Sequence, residues 1–435
     1  MSIKVIFESK RGLLGLALTY FENFLRLFYG VGILLLARRE LVGDEFAEFS
    51  FYLTVGLACY MFSRFSFDAY AIKEFVSNAE GAVHVLLRLV ALRILGSLAV
   101  ISIAIVLLAL FGQLRWLLVP VIFLQFFRAF DLVELYLRAR GNLLTQSVVR
   151  IFSMLLAFCF LLVSITFFSS SLEVFIYSQA IEWLSISIFY AGSLCFFCKA
   201  KGGANELHGT VLESVRKVLR GSVFVHISFG LFLVYSKFDQ FLLKWVVAAG
   251  EYGDYMIAAR LTEASIVLIL SLNMFFYPKL VKAHRESYLL FNNMIRSLSI
   301  FFLLLSLLVV VVVWIFKAFY YSVPVLVSDY VPYEVLNLLS LLIFSTVPVF
   351  FFGLRSSYFS IVDSPRDVVM GGVWGVLCAL LVGVPFVLYY GVFGAAIAVS
   401  IIALVALGFS NFCSRQGRAY LRIIFGFSGV GVPNK

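Results

Sequence analysis

The sequence predicts an all-α integral membrane protein of about twelve transmembrane helices, arranged as two parallel-repeat six-helix bundles around a central cavity. Three observations carry that expectation. The 435 residues are 63% hydrophobic and only 13% charged, with a mean hydropathy of +1.03, which lies outside the range of soluble domains. Apolar runs of about 20 residues, the length needed to span a bilayer, recur along the whole chain. A short motif also repeats in the two halves.

Taken in order, the expected spans are 12–37, 48–72, 88–111, 116–137, 148–168, 173–197, 221–247, 255–277, 297–316, 335–353, 369–390 and 392–411. The first run is too long for a signal peptide and lacks a small-x-small cleavage site, so it reads as a retained helix. The polar, basic segment 199–220 divides the spans six and six. The expected organisation is an N-terminal bundle over 1–198, a cytoplasmic linker over 199–220, a C-terminal bundle over 221–414 and a cytoplasmic tail over 415–435. Glu45-Phe46-Ala47-Glu48-Phe49 opens the second span region, and Glu251-Tyr252-Gly253-Asp254-Tyr255 opens the eighth. At the same offset Arg38 aligns with Lys244. Two like-oriented halves imply a repeat about an axis along the membrane normal. Pro348 and Pro385 fall inside spans and should kink them.

The net charge of +10 is distributed as a topology signal and not as a nucleic-acid footprint. Most of the 34 Lys and Arg fall on the side of the N-terminus, among them Lys10, Arg11, Arg138, Arg140, Lys199, Lys279, Lys282, Arg285, Arg415 and Arg418. The opposite side carries Arg38, Arg39, Arg115 and Lys317. This is the positive-inside pattern. It places both termini in the cytoplasm, with lipid as the basic surface's partner and no nucleic acid.

The chemistry lies in charges at bilayer depth, each costing roughly 3 kcal/mol on insertion scales. Such groups must face one another, a wet cavity or a ligand. The first span carries Glu22 and Arg26, four apart and able to pair. The fourth carries Arg128, Asp131, Glu134 and Arg138 on one helical face. The sixth holds a single carboxylate at mid-depth, Glu182, beside Trp183, read equally as a proton carrier or a hydrogen-bonded helix contact. The seventh carries Lys237, Asp239 and Lys244, with Asp239 turned away from the lysine face. The eighth carries Arg260 and Glu263. Arg64 and Asp68 read as a local pair without a role. The candidates for substrate binding or gating are Arg26, Arg128, Lys237 and Arg260, with Lys244 nearer the external mouth. The candidates for ion coupling or charge pairing are Glu22, Asp131, Glu182, Asp239 and Glu263. A planar guanidinium suits an oxyanion because its fork binds in bidentate fashion.

Other chemistries find no support. Cys195-Phe-Phe-Cys198 has redox or metal spacing but no second pair and no adjacent histidine, so these read as ordinary apolar cysteines. Phosphate-binding glycine loops, catalytic triads and zinc patterns are absent. No cofactor, metal or enzymatic activity is expected. With no ATPase motif, transport would draw on ion gradients, membrane potential or mass action.

The segments ARRELVGDEFAEFSFYLTVG at 37–56, DQFLLKWVVAAGEYGDYMIAARLTE at 239–263 and YYGVFGAAIAVS at 389–400 resemble the polysaccharide biosynthesis, or Wzx-type O-antigen, flippases of the multidrug/oligosaccharidyl-lipid/polysaccharide exporter superfamily. Ala47 departs from that pattern, which usually has Gly there, and Ser66 stands where a Gly often ends the second helix. The resemblance implies a cargo of undecaprenyl-diphosphate-linked oligosaccharide, moved from the cytoplasmic to the periplasmic leaflet of a bacterial inner membrane. It also implies other polysaccharide-assembly membrane proteins as partners. Two alternatives stand beside it. One is an ion-coupled multidrug or small-cation exporter of the same superfamily. The other is a membrane glycosyltransferase or polymerase, which the short external loops disfavour.

Overall fold

The computed structural model describes residues 10–41, 44–64, 71, 75, 81–113, 115–140, 142–168, 170–200, 211–320 and 331–426. Among these residues the chain is helical and forms no strand. That is the expected outcome for apolar segments in hydrocarbon, where each backbone polar group needs a partner within its own segment. Seven helical stretches are long and apolar enough to cross a membrane: Asp44–Ser63, Ala82–Leu110, Leu143–Phe167, Leu172–Phe197, Tyr288–Ala318, Tyr333–Ile361 and Arg366–Cys413. Three further helices are long but carry more charge: Lys10–Glu40, Val211–Val246 and Ala249–Glu286, of 31, 36 and 38 residues. At 1.5 Å per residue each exceeds the ~30 Å hydrocarbon thickness. The protein is thus a multi-helix membrane protein of the predicted class.

The chain divides into two compact units, Met1–His226 and Ile227–Lys435. In the first, α1 (Lys10–Glu40), α6 (Leu143–Phe167) and α7 (Leu172–Ala200) pack side by side. Next to them lie α2 (Asp44–Ser63), α3 (Ala82–Leu110) and a broken span. That span is α4 (Leu118–Phe127), a 3-10 turn over Arg128–Asp131, and α5 (Leu132–Ala139). The core beneath is apolar and aromatic, with Leu86, Leu132, Val133 and Tyr190 almost fully buried.

The boundary falls within α8 (Val211–Val246), which leads into α9 (Ala249–Glu286) and α10 (Tyr288–Ala318) of the second unit. Then come α11 (Tyr333–Leu342), α12 (Thr346–Phe351), α13 (Arg355–Ile361), α14 (Pro365–Cys378), α15 (Val384–Leu407) and α16 (Arg415–Phe425). Two described helical segments fall within the expected linker and tail. Helix α8 begins at Val211, so half of 199–220 is helical and only 201–210 lies outside the described residues. The segment from 415 onward folds as α16 before the described residues end at Gly426.

The expected prolines alter the helix locally. A 3-10 turn at Ile343–Ser345 precedes Pro348, and a π-helical turn at Ala379–Gly383 precedes Pro385. A proline ring strips the turn before it of a hydrogen bond, and a change of helical pitch accommodates the loss. The expected break between the last two spans falls on Gly391, with φ 55 and ψ −133. Only glycine occupies that backbone region without strain.

The internal repeat is visible in side-chain detail. In the first unit Phe46 and Phe49 are 2% and 0% exposed, and the Arg38 guanidinium lies 5.7 Å from the Phe46 ring centre. In the second, the matching Tyr252 and Tyr255 are both 0% exposed, and the matching Lys244 ammonium lies 5.7 Å from the Tyr252 ring centre. In both motifs an acid falls in the first helical turn, Glu45 and Glu251 respectively, where it complements the helix dipole.

Candidate functional site

Each unit contains a carboxylate to which two cations and a glutamine amide converge. In the first unit it is Glu134. Arg138 Nη2 donates to its Oε1 at 2.6 Å and Gln146 Nε2 to the same oxygen at 3.1 Å. Arg150 Nε donates to Oε2 at 2.8 Å, and its Nη2 reaches the same oxygen. Gln146 also accepts from Arg138 Nε at 2.8 Å. Arg150 extends the network to Glu22, 3.9 Å away. Glu22 is 0% exposed, is paired with Arg26 one turn along α1, and accepts from Ser147 at 3.2 Å. The whole group is packed between α1, α5 and the start of α6. Buried charges are tolerated when each is paired and hydrogen-bonded.

Arg128 and Asp131 form a separate element, created by the 3-10 turn they bound. The guanidinium carbon of Arg128 lies 3.3 Å from the Tyr60 ring centre and 5.0 Å from that of Trp183. Its closest approach to Asp131 is 3.8 Å, while Tyr60 donates to the same carboxylate oxygen at 3.1 Å. Arg128 is therefore held by aromatic faces more than by its acid, which leaves much of its donor fork uncommitted. Glu182 is buried, at 9% exposed.

In the second unit the receiving carboxylate is Glu263. It is bonded by Lys237 from α8, by Gln240 at 2.8 Å and by Arg260 at 2.9 Å. The Asp239 carboxylate, expected from its spacing to turn away from the Lys237 face, also reaches α9, where it accepts from the Tyr255 hydroxyl. Asp239 forms no salt bridge among the described residues. Lys244 is half-buried against Tyr252.

The structure thus brings Glu22, Arg26, Asp131, Arg128 and Glu182 into one unit, and Lys237, Asp239, Lys244, Arg260 and Glu263 into the other. Arg64 lies at the edge of the described residues, and its expected partner Asp68 lies outside them.

Arg93, 2% exposed, escaped the sequence reading, as did Arg150 and Arg355. Arg150 sits at the head of an apolar span with no acid one turn away, so nothing local marks it. Arg355 is 5% exposed. Its Nε donates to Asn411 at 2.8 Å, and its Nη2 to the Asp367 carbonyl at 2.6 Å and to Ser410 at 3.2 Å. It ties α13 to the start of α14 and to the 3-10 turn after α15. Its acceptors are neutral, which suits a structural cross-tie. The only sequence signal was an arginine in a short turn between two apolar spans.

Among the described residues, no group of His, Cys, Asp and Glu could hold a metal ion.

No family model matches the chain, and no curated protein matches it at a significant level. Solved structures match over nearly its whole length. An inward-facing multidrug resistance MATE family transporter of the MOP superfamily aligns at 15% identity with a TM-score of 0.70, covering 92% of this chain and 96% of that one. The lipid II flippase MurJ, in an inward closed conformation, aligns at 14% identity with a TM-score of 0.58, covering 95% and 90%. A mutant of the Vibrio cholerae MATE transporter VcmN aligns at 15% identity with a TM-score of 0.57, covering 94% and 99%. The chain has the fold shared by these transporters and is a multi-pass membrane protein. These structural neighbours are transporters and a flippase, not enzymes.

Proposed function

We propose that the protein is a flippase for undecaprenyl-diphosphate-linked oligosaccharide, moving it from the cytoplasmic to the periplasmic leaflet of a bacterial inner membrane by alternating access. Both termini lie in the cytoplasm, the diphosphate-sugar head passes through the protein, and the lipid tail stays in the bilayer. Other polysaccharide-assembly membrane proteins are its partners.

The observation that carries this reading is Arg128. A guanidinium stacked on Tyr60, near Trp183, with only a loose contact to its acid, offers a diphosphate bidentate donors and a sugar an aromatic face. Arg26, with a side chain 41% exposed, and Arg260, at 18%, are further reachable cations. The lipid II flippase among the structural neighbours supports a lipid-linked cargo. Lys237 and Lys244 gate the path. Glu22, Asp131, Glu182, Asp239 and Glu263 hold the cations in the absence of cargo or couple transport to an ion.

A second reading, an ion-coupled exporter of small cations, is favoured by Asp239. It is 3% exposed and is hydrogen-bonded by a tyrosine instead of a base.

Complementation of a deletion strain separates the two readings. With Arg128→Ala, Arg26→Ala or Arg260→Ala at matched expression, surface glycan should fall sharply. Normal glycan in all three variants overturns the head-contact role. Normal glycan in the deletion strain, together with altered drug resistance, favours the exporter.

A further inference from the structure

We propose that the outward face of α16 (Arg415–Phe425) binds the anionic headgroups of phospholipids at the membrane boundary. The inference is independent of which cargo the protein carries.

The helix is divided by chemistry. Tyr420, Leu421, Ile423 and Ile424 are buried in one apolar cluster with Phe291 and Ile295 of α10 and with Tyr358 and Phe359 of α13. The Tyr420 ring lies 5.1 Å from Tyr358 and 6.1 Å from Phe359, centre to centre. The opposite face carries Arg415, Arg418 and Arg422, all exposed. At helical spacing these three fall within roughly 60° of one another. The helix contains no acid, and none of the three arginines forms an ion pair among the described residues.

Two of the three placements oppose the local field, while Arg422 lies in the last turn, where a cation is favoured. Arg415 and Arg418 occupy the first turn, where the helix dipole repels a cation. The C-terminal end has its own cation already: the Arg296 guanidinium sits against Gly426, which caps the helix at φ +80. Arg415 and Arg418 are therefore not explained by stabilisation of the helix. Arg418 bonds only the Phe412 carbonyl, at 2.9 Å.

The position identifies the partner. Helix α16 packs on the first turns of one membrane-crossing helix and directly follows the end of another, so it lies at a bilayer boundary. Phe412 and Phe425 flank the arginine stripe and are 58% and 54% exposed. Leu289 and Leu290 at the head of α10 are 67% and 48% exposed. Arginines interleaved with exposed apolar groups at that depth match phosphate headgroups above acyl chains. A purely aqueous acidic partner would leave the phenylalanines in water.

The test uses the full-length protein in nanodiscs of mixed phosphatidylglycerol and phosphatidylcholine. The readout is the ratio of the two lipids retained on the protein after detergent extraction, measured by mass spectrometry. The wild type should be enriched in phosphatidylglycerol. Each arginine removed should lower the enrichment by roughly fivefold. The R415Q/R418Q/R422Q variant should therefore show almost none, and raised salt should weaken the wild type's preference. Equal melting temperatures in pure phosphatidylcholine establish that the variant is folded. If it is not, the single variant Arg415→Gln, at one exposed position, gives the smaller, fivefold version of the result. Unchanged enrichment in either variant overturns the proposal. So does salt-sensitive retention of an acidic protein or nucleic acid on this face in place of phosphatidylglycerol.

Discussion

The two units solve the same electrostatic problem with different degrees of closure. In each, one glutamate accepts from two cations and one glutamine: Glu134 from Arg138, Arg150 and Gln146, and Glu263 from Lys237, Arg260 and Gln240. The Glu134 side chain is 7% exposed, whereas that of Glu263 is 32% exposed. In the first unit both cations are arginines, and Arg150 is shared with a second carboxylate, Glu22. In the second, a lysine and an arginine share one acid. The sealed centre resembles a packing device that ties three helices. The open one has the accessibility that a transient anionic ligand needs. The two centres are not copies made by the repeat, since the offset that matches Phe46 with Tyr252 sets Ser340 against Glu134 and Leu57 against Glu263.

Substitutions at the two acids give the widest separation. Glu134→Ala removes the shared acid of Arg150, 13% exposed, and Arg138, 26% exposed, and should cost about 3 kcal/mol, measured as lost thermal stability in detergent and reduced yield. Glu263→Ala, at a site one-third exposed, should cost only about 1–2 kcal/mol once solvent screening is allowed for, while transport is lost. Equal destabilisation by the two variants would erase the distinction between the units.

Arg150→Lys comes next. It retains the charge but removes the fork that reaches Glu134 with two nitrogens and approaches Glu22 with one. A loss of about 1–2 kcal/mol is expected. Lys237→Arg, at a centre that does not depend on a planar fork, should change stability by less than about 1 kcal/mol. Reversal of that order in matched melting curves would show that the first unit's geometry is not bidentate in substance.

The smallest effect sharpens the picture of Glu22. Ser147→Ala removes one hydroxyl donor from a fully buried carboxylate that retains Arg26 and Arg150. About 1 kcal/mol is expected. Gln240→Ala, which removes the amide from the more open Glu263, should cost less, because water can replace it. Melting temperatures of the two variants side by side make the comparison.

What could be read from the sequence follows its length scale. The spans were legible because hydrocarbon thickness sets a fixed run length. The break at 391 was legible because a glycine followed an apolar run. Pairs within one turn, Glu22 with Arg26, Glu134 with Arg138 and Arg260 with Glu263, were legible from helical spacing alone. The Phe46 and Tyr252 motifs were legible because the repeat preserves both ring and cation. Contacts between helices were not. Nothing local links Arg150 to Glu134, Lys237 to Glu263 or Ser147 to Glu22, since those partnerships depend on rotation and depth of separate helices. The 3-10 turn at Arg128–Asp131 was hidden for another reason: no proline or glycine marks it, and the structure pairs Arg128 with Asp131 inside the turn and Glu134 with Arg138 beyond it.

Gly391 has a consequence for how the protein is seated. With a one-residue reversal between the last two spans, the tip of that hairpin has no slack. Tyr389 and Tyr390, 83% and 67% exposed beside it, are rings of the kind that settle at the headgroup level. Together they act as a depth gauge: the bend cannot sink into the acyl layer or rise from it without dragging both arms along.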